Sequence, residues 1–362
     1  MSQGRPLRLL VSAAEASGDR LAAELLGALR RLCPVEARGC AGPALRAEGV
    51  EALVRVEDLS VCGAWELLAR LPAIRRARAA LRAALDERPD LVLTVDAPDF
   101  HLPLARAARA RGIRAIGYVS PQLWAWRPGR ARDVAAALDR LLCLFPFEPA
   151  LYEPWGLDAR FVGHPVVERL AGARREAVPG RFALLPGSRP EELRRLLPVF
   201  LETAAIARSR RPGARFRLGL AEALDGRDGL RARAEAVGVE PVDGLIAAAA
   251  DAEAALVASG TATLELCVLG VPMVVAYQVH PSTWALGRLL VRGVRHLALP
   301  NILAEAELVP EHLQRLDPEA LACDLLAVAA RPGLAERLVE LRERLGPPGA
   351  SERAARALLE PF

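Results

Sequence analysis

Lysine is absent from this chain, and all 48 of its basic residues are arginine. That absence excludes a Walker-type phosphate loop with its lysine, a lysine Schiff base and pyridoxal-phosphate attachment. Asparagine is almost absent as well, with Asn301 its one occurrence. Cysteine is sparse: Cys33, Cys40, Cys62, Cys143, Cys267 and Cys323 are scattered and form no C-x-x-C pair. Their spacing offers neither a metal site nor a disulfide framework, and it points to a reducing, cytosolic compartment. No G-x-G-x-x-G fingerprint and no D-x-D metal motif occurs. A secretory leader is not expected, because the apolar stretch 7–16 is short and is interrupted by Arg8 and Glu15. Residues 266–287 carry no formal charge over a length that would span a bilayer. Gly270, Pro272, Gln278, His280 and Pro281 break that run into a helix end, a buried strand and a loop.

What is present suits two domains. A chain of 362 residues exceeds one typical core, and 52% hydrophobic content is enough to bury two. The net charge of +4 is too mild to argue for nucleic acid, and it suits an acidic ligand or an anionic membrane surface equally well. Apolar strands are expected at 7–12, 91–96, 113–120, 141–147 and 159–163, with helices near 19–32 and 102–111 between them. The same grammar restarts with strands at 181–186, 214–220, 252–258 and 272–277. Alternation of this kind implies parallel sheets with helical crossovers. Residues 165–180 turn polar and small, as an interdomain linker would, and 351–362 form a last amphipathic helix. In open parallel sheets ligands bind beyond the carboxyl ends of the strands, so the turns after strands are the places to examine.

Four turns stand out. SAAEASGD (12–19) has small residues, Gly18 its one glycine, that would let a ligand approach its backbone, with Glu15 aimed at it; Ser17 or Asp19 would equally cap the following helix. VDAPDFHLPL (95–104) places Asp96 directly after an apolar strand, where a carboxylate can act as a general base, while Asp96 or Asp99 could instead be a helix cap. PGSRPEE (186–192) matches a capping box through Ser188 and Glu191, with Pro190 in a first turn. Capping leaves Gly187 and Arg189 unexplained, and a glycine before a helix start with an arginine beside it is suited to phosphate. SGTATLE (259–265) offers Ser259, Gly260 and Thr261 before another helix, with Glu265 one turn in, able to accept from a ribose diol or to favour the helix dipole. Two phosphate-type turns in one domain, without lysine or D-x-D, suggest a metal-independent nucleoside diphosphate site.

Two further stretches admit two readings each. YVSPQLWAWRPGR (118–130) concentrates tryptophans that would shape a sugar or lipid pocket or pack between domains. Residues 59–85 carry Leu67, Leu71, Ile74, Leu81 and Leu85 at helical spacing, flanked by Arg75, Arg76, Arg78 and Arg82, with Pro72 expected to split the helix in two. That pattern fits a core helix with a solvated face, or an apolar patch with a basic rim at a membrane.

Taken together, SGD (17–19), AGP (41–43), AEGVEAL (47–53), LSVCGAWELL (59–68), VDAPDF (95–100), YVSPQLWAWR (118–127), FVGHP (161–165), LLPGSR (184–189), ASGTATLE (258–265), PMVVAY (272–277) and LPNILA (299–304) resemble the lipid-A-disaccharide synthase family. The resemblance implies a GT-B fold: two Rossmann-like parallel-sheet α/β domains facing a cleft, at 1–167 for acceptor and lipid and at 180–345 for the UDP-sugar. Residues 346–362 would form a C-terminal helix that crosses back to the N-terminal domain. It implies an inverting transfer from UDP-2,3-diacylglucosamine to 2,3-diacylglucosamine 1-phosphate, giving a β-1,6-linked disaccharide and UDP, with no cofactor and no metal. On this reading Asp96 is the base, and Arg189 with Gly187 and Ser188 holds the diphosphate. Ser259, Gly260, Thr261 and Glu265 hold phosphate and ribose, Asn301 lines the same cleft, and Glu15, Ser17 and Gly18 form the first-turn part of it. Trp65, Leu67, Leu68, Leu71 and Ile74 would receive acyl chains or touch the inner membrane from the cytoplasmic side, as in a peripheral protein. No nucleic-acid partner is implied, and a homodimer stays open.

Two departures stand against the family pattern. Ala14 and Ala16 flank Glu15 where glycine and threonine are usual, and His101 stands where asparagine usually follows DAPDF. The rival readings are an enzyme acting on unacylated UDP-N-acetylglucosamine, a dinucleotide oxidoreductase lacking its glycine fingerprint, and a non-catalytic nucleotide-sugar binder.

Overall fold

A computed structural model describes residues 5–59, 64–123, 128–221, 224, 226–279 and 296–361, with the side chains of 64–70 and 128 outside the description. The chain divides into two α/β units, one up to residue 165 together with 345 onward, the other 166–344. In the first, β1 (Leu7–Ala13), α1 (Ala16–Leu32), β2 (Val35–Ala41), α2 (Pro43–Ala47), β3 (Glu51–Arg55), α3 (Ala64–Ala84), β4 (Leu91–Val95), α4 (Pro98–Arg109), β5 (Arg114–Tyr118), α5 (Ala131–Ala137), β6 (Arg140–Cys143) and β7 (Asp158–Phe161) follow in order. The second holds α6 (Val166–Arg169), β8 (Arg181–Leu185), α7 (Pro190–Arg210), β9 (Arg215–Leu220), α8 (Arg227–Glu235), β10 (Glu240–Asp243), α9 (Leu245–Ala249), β11 (Ala254–Ala258), α10 (Thr261–Leu269) and β12 (Met273–Tyr277). It continues through α11 (Leu299–Ala304), β13 (Glu311–Leu313), α12 (Pro318–Ala329) and α13 (Leu334–Arg344), after which α14 (Ala350–Leu359) belongs to the first unit again.

Each unit is built on one parallel sheet, in the order β3-β2-β1-β4-β5-β6-β7 and β10-β9-β8-β11-β12-β13. Helices on both faces leave no strand position for water, which is why β4 (LVLTV, apolar but for Thr94) and β11 (AALVA) are buried at every residue. In the first sheet the order reverses between β1 and β4, and in the second between β8 and β11.

Several local expectations change. The apolar run 141–147 leaves the sheet after Cys143, because Glu148 turns back and accepts the N–H groups of Leu144 and Phe145. Pro72 does not split α3; it is exposed, so the carbonyl one turn back that loses its amide partner can be solvated. Leu81 on that helix and Leu85 just beyond it are buried, Ile74 packs partly against the core, and Leu71 is exposed. Residues 166–180 are an integral part of the second unit, with Val166, Val167 and Leu170 buried and Val178 N–H bonded to Asp251 C=O at 2.9 Å. Trp65, Leu67, Leu68, Trp124 and Trp126 have side chains outside the described residues.

α14 packs on α1, and a buried arginine ties it down. Arg140, at the start of β6, has no solvent exposure. Its Nε donates to Asp158 at 2.7 Å, while Nη1 and Nη2 donate to the carbonyls of Ala357, Glu360 and Pro361. Those carbonyls end a helix and lack intrahelical partners, so the guanidinium satisfies them and complements the dipole. Arg140→Ala is expected to cost about 3–5 kcal/mol, since it strips a buried partner. Hydrogen exchange should show protection lost first across 350–360.

Candidate functional site

The first unit's two candidate turns follow β1 and β4, the neighbouring strands at which the sheet order reverses. After β1 the helix begins early: Glu15 sits at the N-cap position, exposed, and makes no side-chain cap. Ser17 and Gly18 therefore lie inside the first turn of α1, Ser17 exposed and Gly18 packed near Val95. Asp19 does not cap this helix. Its buried carboxylate reaches across to the N–H groups of Gly42 (2.7 Å), Ala44 (2.8 Å) and Leu45 (3.4 Å) and so starts α2. A Cβ on Gly42 would stand 2.5 Å from Asp19 Oδ2, so the AGP stretch needs its glycine because of the SGD stretch.

After β4 the backbone is strained. Asp96 and Ala97 both hold positive φ, 54° and 42°, and Val119 after β5 does so at 73°. Non-glycine residues in that region, a β-branched one above all, persist only where the surroundings enforce them. Asp96 N–H donates to Tyr118 C=O at 3.0 Å, and Val119 N–H to Leu142 C=O at 3.0 Å. Ala97 occupies the N-cap of α4, so neither Asp96 nor Asp99 caps it. The Asp99 side chain turns outward to Arg130, and its carbonyl accepts from Arg78 at 2.7 Å. Asp96 itself is part-exposed at the sheet's carboxyl edge.

A second carboxyl group stands along that edge. Glu148 is buried, and both backbone N–H bonds, from Leu144 and Phe145 at 3.0 Å, fall on the same oxygen, Oε2. Burial pushes its pKa up to about 8, and the nearby Asp96 charge adds to the shift. The sequence signal was a carboxylate close behind an apolar run that stops at a proline, in LLCLFPFE, and it went unread. Cys143 beside it is buried, which pushes its thiol up and away from reactivity.

In the second unit the two candidate turns follow β8 and β11, again at the reversal of strand order. α7 begins at Pro190 with Arg189 at its N-cap and no side-chain cap, so the capping box does not form. Glu191 pairs instead with Arg194 and with Arg195 at 3.0 Å. Gly187 has φ 105°, and a Cβ there would collide with the Glu192 carboxylate, which lies over the turn and pairs with Arg189 at 3.3 Å. Ser188 and Arg189 are exposed. Tyr277, at the end of β12, was not singled out from sequence; burial, with Glu192 nearby, raises its phenol, while Arg189 acts the other way.

α10 starts directly after Gly260, also without a side-chain cap. Gly260 and Thr261 are exposed there, and Ser259 Oγ lies 3.5 Å from Leu297 C=O. Glu265 is held by Arg169 on α6 at 2.8 Å, a partner invisible to local sequence reasoning. Asn301 is a correction. Its side chain is fully buried; Nδ2 donates to Val309 C=O (2.8 Å) and Glu311 Oε1 (2.7 Å), and Oδ1 accepts from Leu308 (2.8 Å) and Val309 (2.9 Å). Every hydrogen-bonding position of the amide is used within the protein, so Asn301 staples α11 to the following loop and presents nothing to a ligand. Among the described residues, no group of three or more His, Cys, Asp or Glu could hold a metal ion.

A family model described as lipid-A-disaccharide synthetase matches residues 9–330. The lipid-A-disaccharide synthase of Anaeromyxobacter dehalogenans (strain 2CP-C) is 44% identical, with 97% of each chain covered. That of Myxococcus xanthus is 42% identical over 98% of this chain and 97% of its own. Among solved structures, the glycosyltransferase of kitacinnamycin superposes with a TM-score of 0.61 at 19% identity, covering 98% and 99% of the two chains. Acinetobacter baumannii MurG gives 0.61 at 14%, covering 97% and 99%.

The Glu148 carboxyl generates a pH prediction. Its folded pKa of about 8 lies above the unfolded value of 4.5, so its protonated form favours the fold and stability is lost as pH rises from 4.5 through 8. Glu148→Gln keeps an acceptor for both N–H groups and cannot ionise. Thermal melts should show the wild type falling relative to Glu148→Gln between about pH 4.5 and 8; parallel curves would rule out the raised pKa.

Proposed function

The chain belongs to the lipid-A-disaccharide synthase family and is a GT-B glycosyltransferase of lipid A biosynthesis, and from that premise we propose its reaction and the residues that carry it. The donor is UDP-2,3-diacylglucosamine, the acceptor 2,3-diacylglucosamine 1-phosphate, and the products a β-1,6-linked disaccharide 1-phosphate and UDP. One observation carries the assignment of sites. All four turns singled out for their chemistry sit at carboxyl ends of strands where a sheet reverses its order, β1 and β4 in one unit, β8 and β11 in the other.

In the second unit the uncapped starts of α7 and α10 offer N–H groups to the diphosphate, with Gly187, Ser188, Ser259, Gly260 and Thr261 keeping the approach open. Arg189 neutralises charge that builds on the leaving UDP, exchanging its Glu192 contact for phosphate. Glu265, oriented by Arg169, accepts from the ribose hydroxyls. With these donors in place the transfer needs no metal. In the first unit Asp96 takes the proton of the acceptor's 6-hydroxyl as that oxygen attacks C1 from the face opposite UDP. The C1–O bond to the diphosphate breaks, UDP leaves with the electron pair, and the configuration inverts.

Both substrates are acylated, and α3 is where the first unit would meet lipid. Leu71 and Pro72 are exposed beside exposed Arg75 and Arg76, an apolar spot with a basic rim. Among the described residues no helix is long and apolar enough to cross a membrane. We place the protein at the cytoplasmic leaflet of the inner membrane, held peripherally.

The direct test mixes purified protein with both acylated sugars and follows UDP release and disaccharide formation. Turnover of UDP-N-acetylglucosamine with none of the acylated donor would overturn the lipid assignment. Arg189→Ala should lower turnover by about 10²-fold or more, as loss of a charge-stabilising donor does; unchanged kinetics in the folded variant would end that role. Asp96→Asn should abolish transfer while UDP binding stays measurable by calorimetry, and a variant that still makes disaccharide would remove Asp96 as the base.

A further inference from the structure

The Asp96–Ala97 turn holds two successive non-glycine residues in left-handed backbone, and such a pair needs an enforcing contact. His101, one turn into α4, supplies it. Its Nδ1 lies 2.7 Å from the Asp96 carbonyl oxygen, and its Nε2 lies 2.9 Å from Ser12 Oγ on β1. A carbonyl only accepts, so Nδ1 carries the proton. The ring is 2% exposed, and burial first, with Arg78 adding to it, pushes its pKa down to about 4. The neutral imidazole therefore accepts from the Ser12 hydroxyl at Nε2. Ser12 is fully buried, and Phe100 packs edge-on to the ring at 5.1 Å. The His101 and Ala97 main chains close the same turn through an N–H···O bond of 3.1 Å.

Sealed from solvent, the imidazole cannot reach a substrate. It spans from β1 to the end of β4, the two strands between which the sheet reverses, and fixes the main chain that bears the carboxylate. We propose that His101, backed by Ser12, is a positioning residue that locks the Asp96–Ala97 turn and so aims the Asp96 carboxylate at the acceptor hydroxyl. The proposal rests on the reading of Asp96 as the base. It also accounts for the departure from the family pattern at this position: an asparagine amide can place a donor where Nδ1 stands.

That chemistry sets the test. His101→Asn keeps a donor at the Nδ1 position, whereas His101→Gln places its amide farther out and His101→Ala removes it. In steady-state assays with both acylated sugars, His101→Ala and His101→Gln should lose kcat by about 10²-fold, the scale of a small misplacement, with KM for the UDP-sugar and UDP affinity unchanged. His101→Asn should stay within about five-fold of wild type, a split that simple loss of packing would not produce. If His101→Ala does not fold, Ser12→Ala, which leaves the ring in place, should still show a kcat loss without a KM change.

Nitrogen-15 NMR of labelled histidine should show the Nδ1–H tautomer unchanged between about pH 6 and 9. It should persist in Asp96→Asn, because the bond runs to a backbone oxygen. Wild-type kcat in His101→Ala, an Asn variant as impaired as the Ala variant, or an Nε2–H tautomer would overturn the proposal. Full activity in Asp96→Asn with the tautomer intact would instead remove the base and leave the backbone lock standing.

Discussion

A parallel sheet whose strand order reverses leaves a crevice above its central pair, because the crossovers on either side run away from each other. This constraint decides where chemistry is possible in both halves of the chain. Between β1 and β4, and again between β8 and β11, loops can end and helices can begin without being covered by a neighbouring connection. The turns with special composition fall there and not at the sheet edges. Fold and function are linked at this level: the residues facing each crevice are read from the last position of a buried strand and the first turn of the helix after it.

The two crevices solve opposite electrostatic problems. The second unit gathers donors, with helix starts that carry no side-chain cap and an exposed arginine, and it sets its own carboxylate, Glu192, against that arginine. The first unit gathers acceptors, Asp96 at the surface and Glu148 buried behind it, and keeps them apart by burying only one. Burial favours the protonated form of Glu148, and holding one carboxyl of a site neutral is a common device in acid–base chemistry. The neutral imidazole of His101 fits the same pattern, since a charged ring beside the strained turn would compete for the carboxylate it helps to aim.

The two parallel-sheet units were legible in the sequence because buried parallel strands are largely apolar, as in LVLTV and AALVA. The edge strands β3 (EALVR) and β10 (EPVD) carry charge and lack that signature, so periodicity passes over them. Local motifs misled where a side chain had a distant partner. Ser188 and Glu191 have the spacing of a capping box, yet Glu191 prefers two arginines one turn along its helix. Asp19 resembles a cap for its own helix and starts another, 23 residues away. Asn301, alone of its kind in the chain, drew attention as a ligand contact and serves as a staple. In each case residue type and position were visible, while the competing partner existed only in three dimensions.

The carbonyls gripped by Arg140 belong to the last turn and tail of the chain, 217 residues and more beyond it. The second unit is contiguous in sequence and the first is not. On the ribosome, where domains fold as they emerge, the later half of the polypeptide is thus complete while the earlier half still lacks α14. Until α14 clears the exit tunnel, Arg140 lacks the carbonyls that residues 357–361 supply, and the face of α1 that α14 covers stays bare. The unit that carries Asp96 is therefore completed after the unit that follows it in sequence.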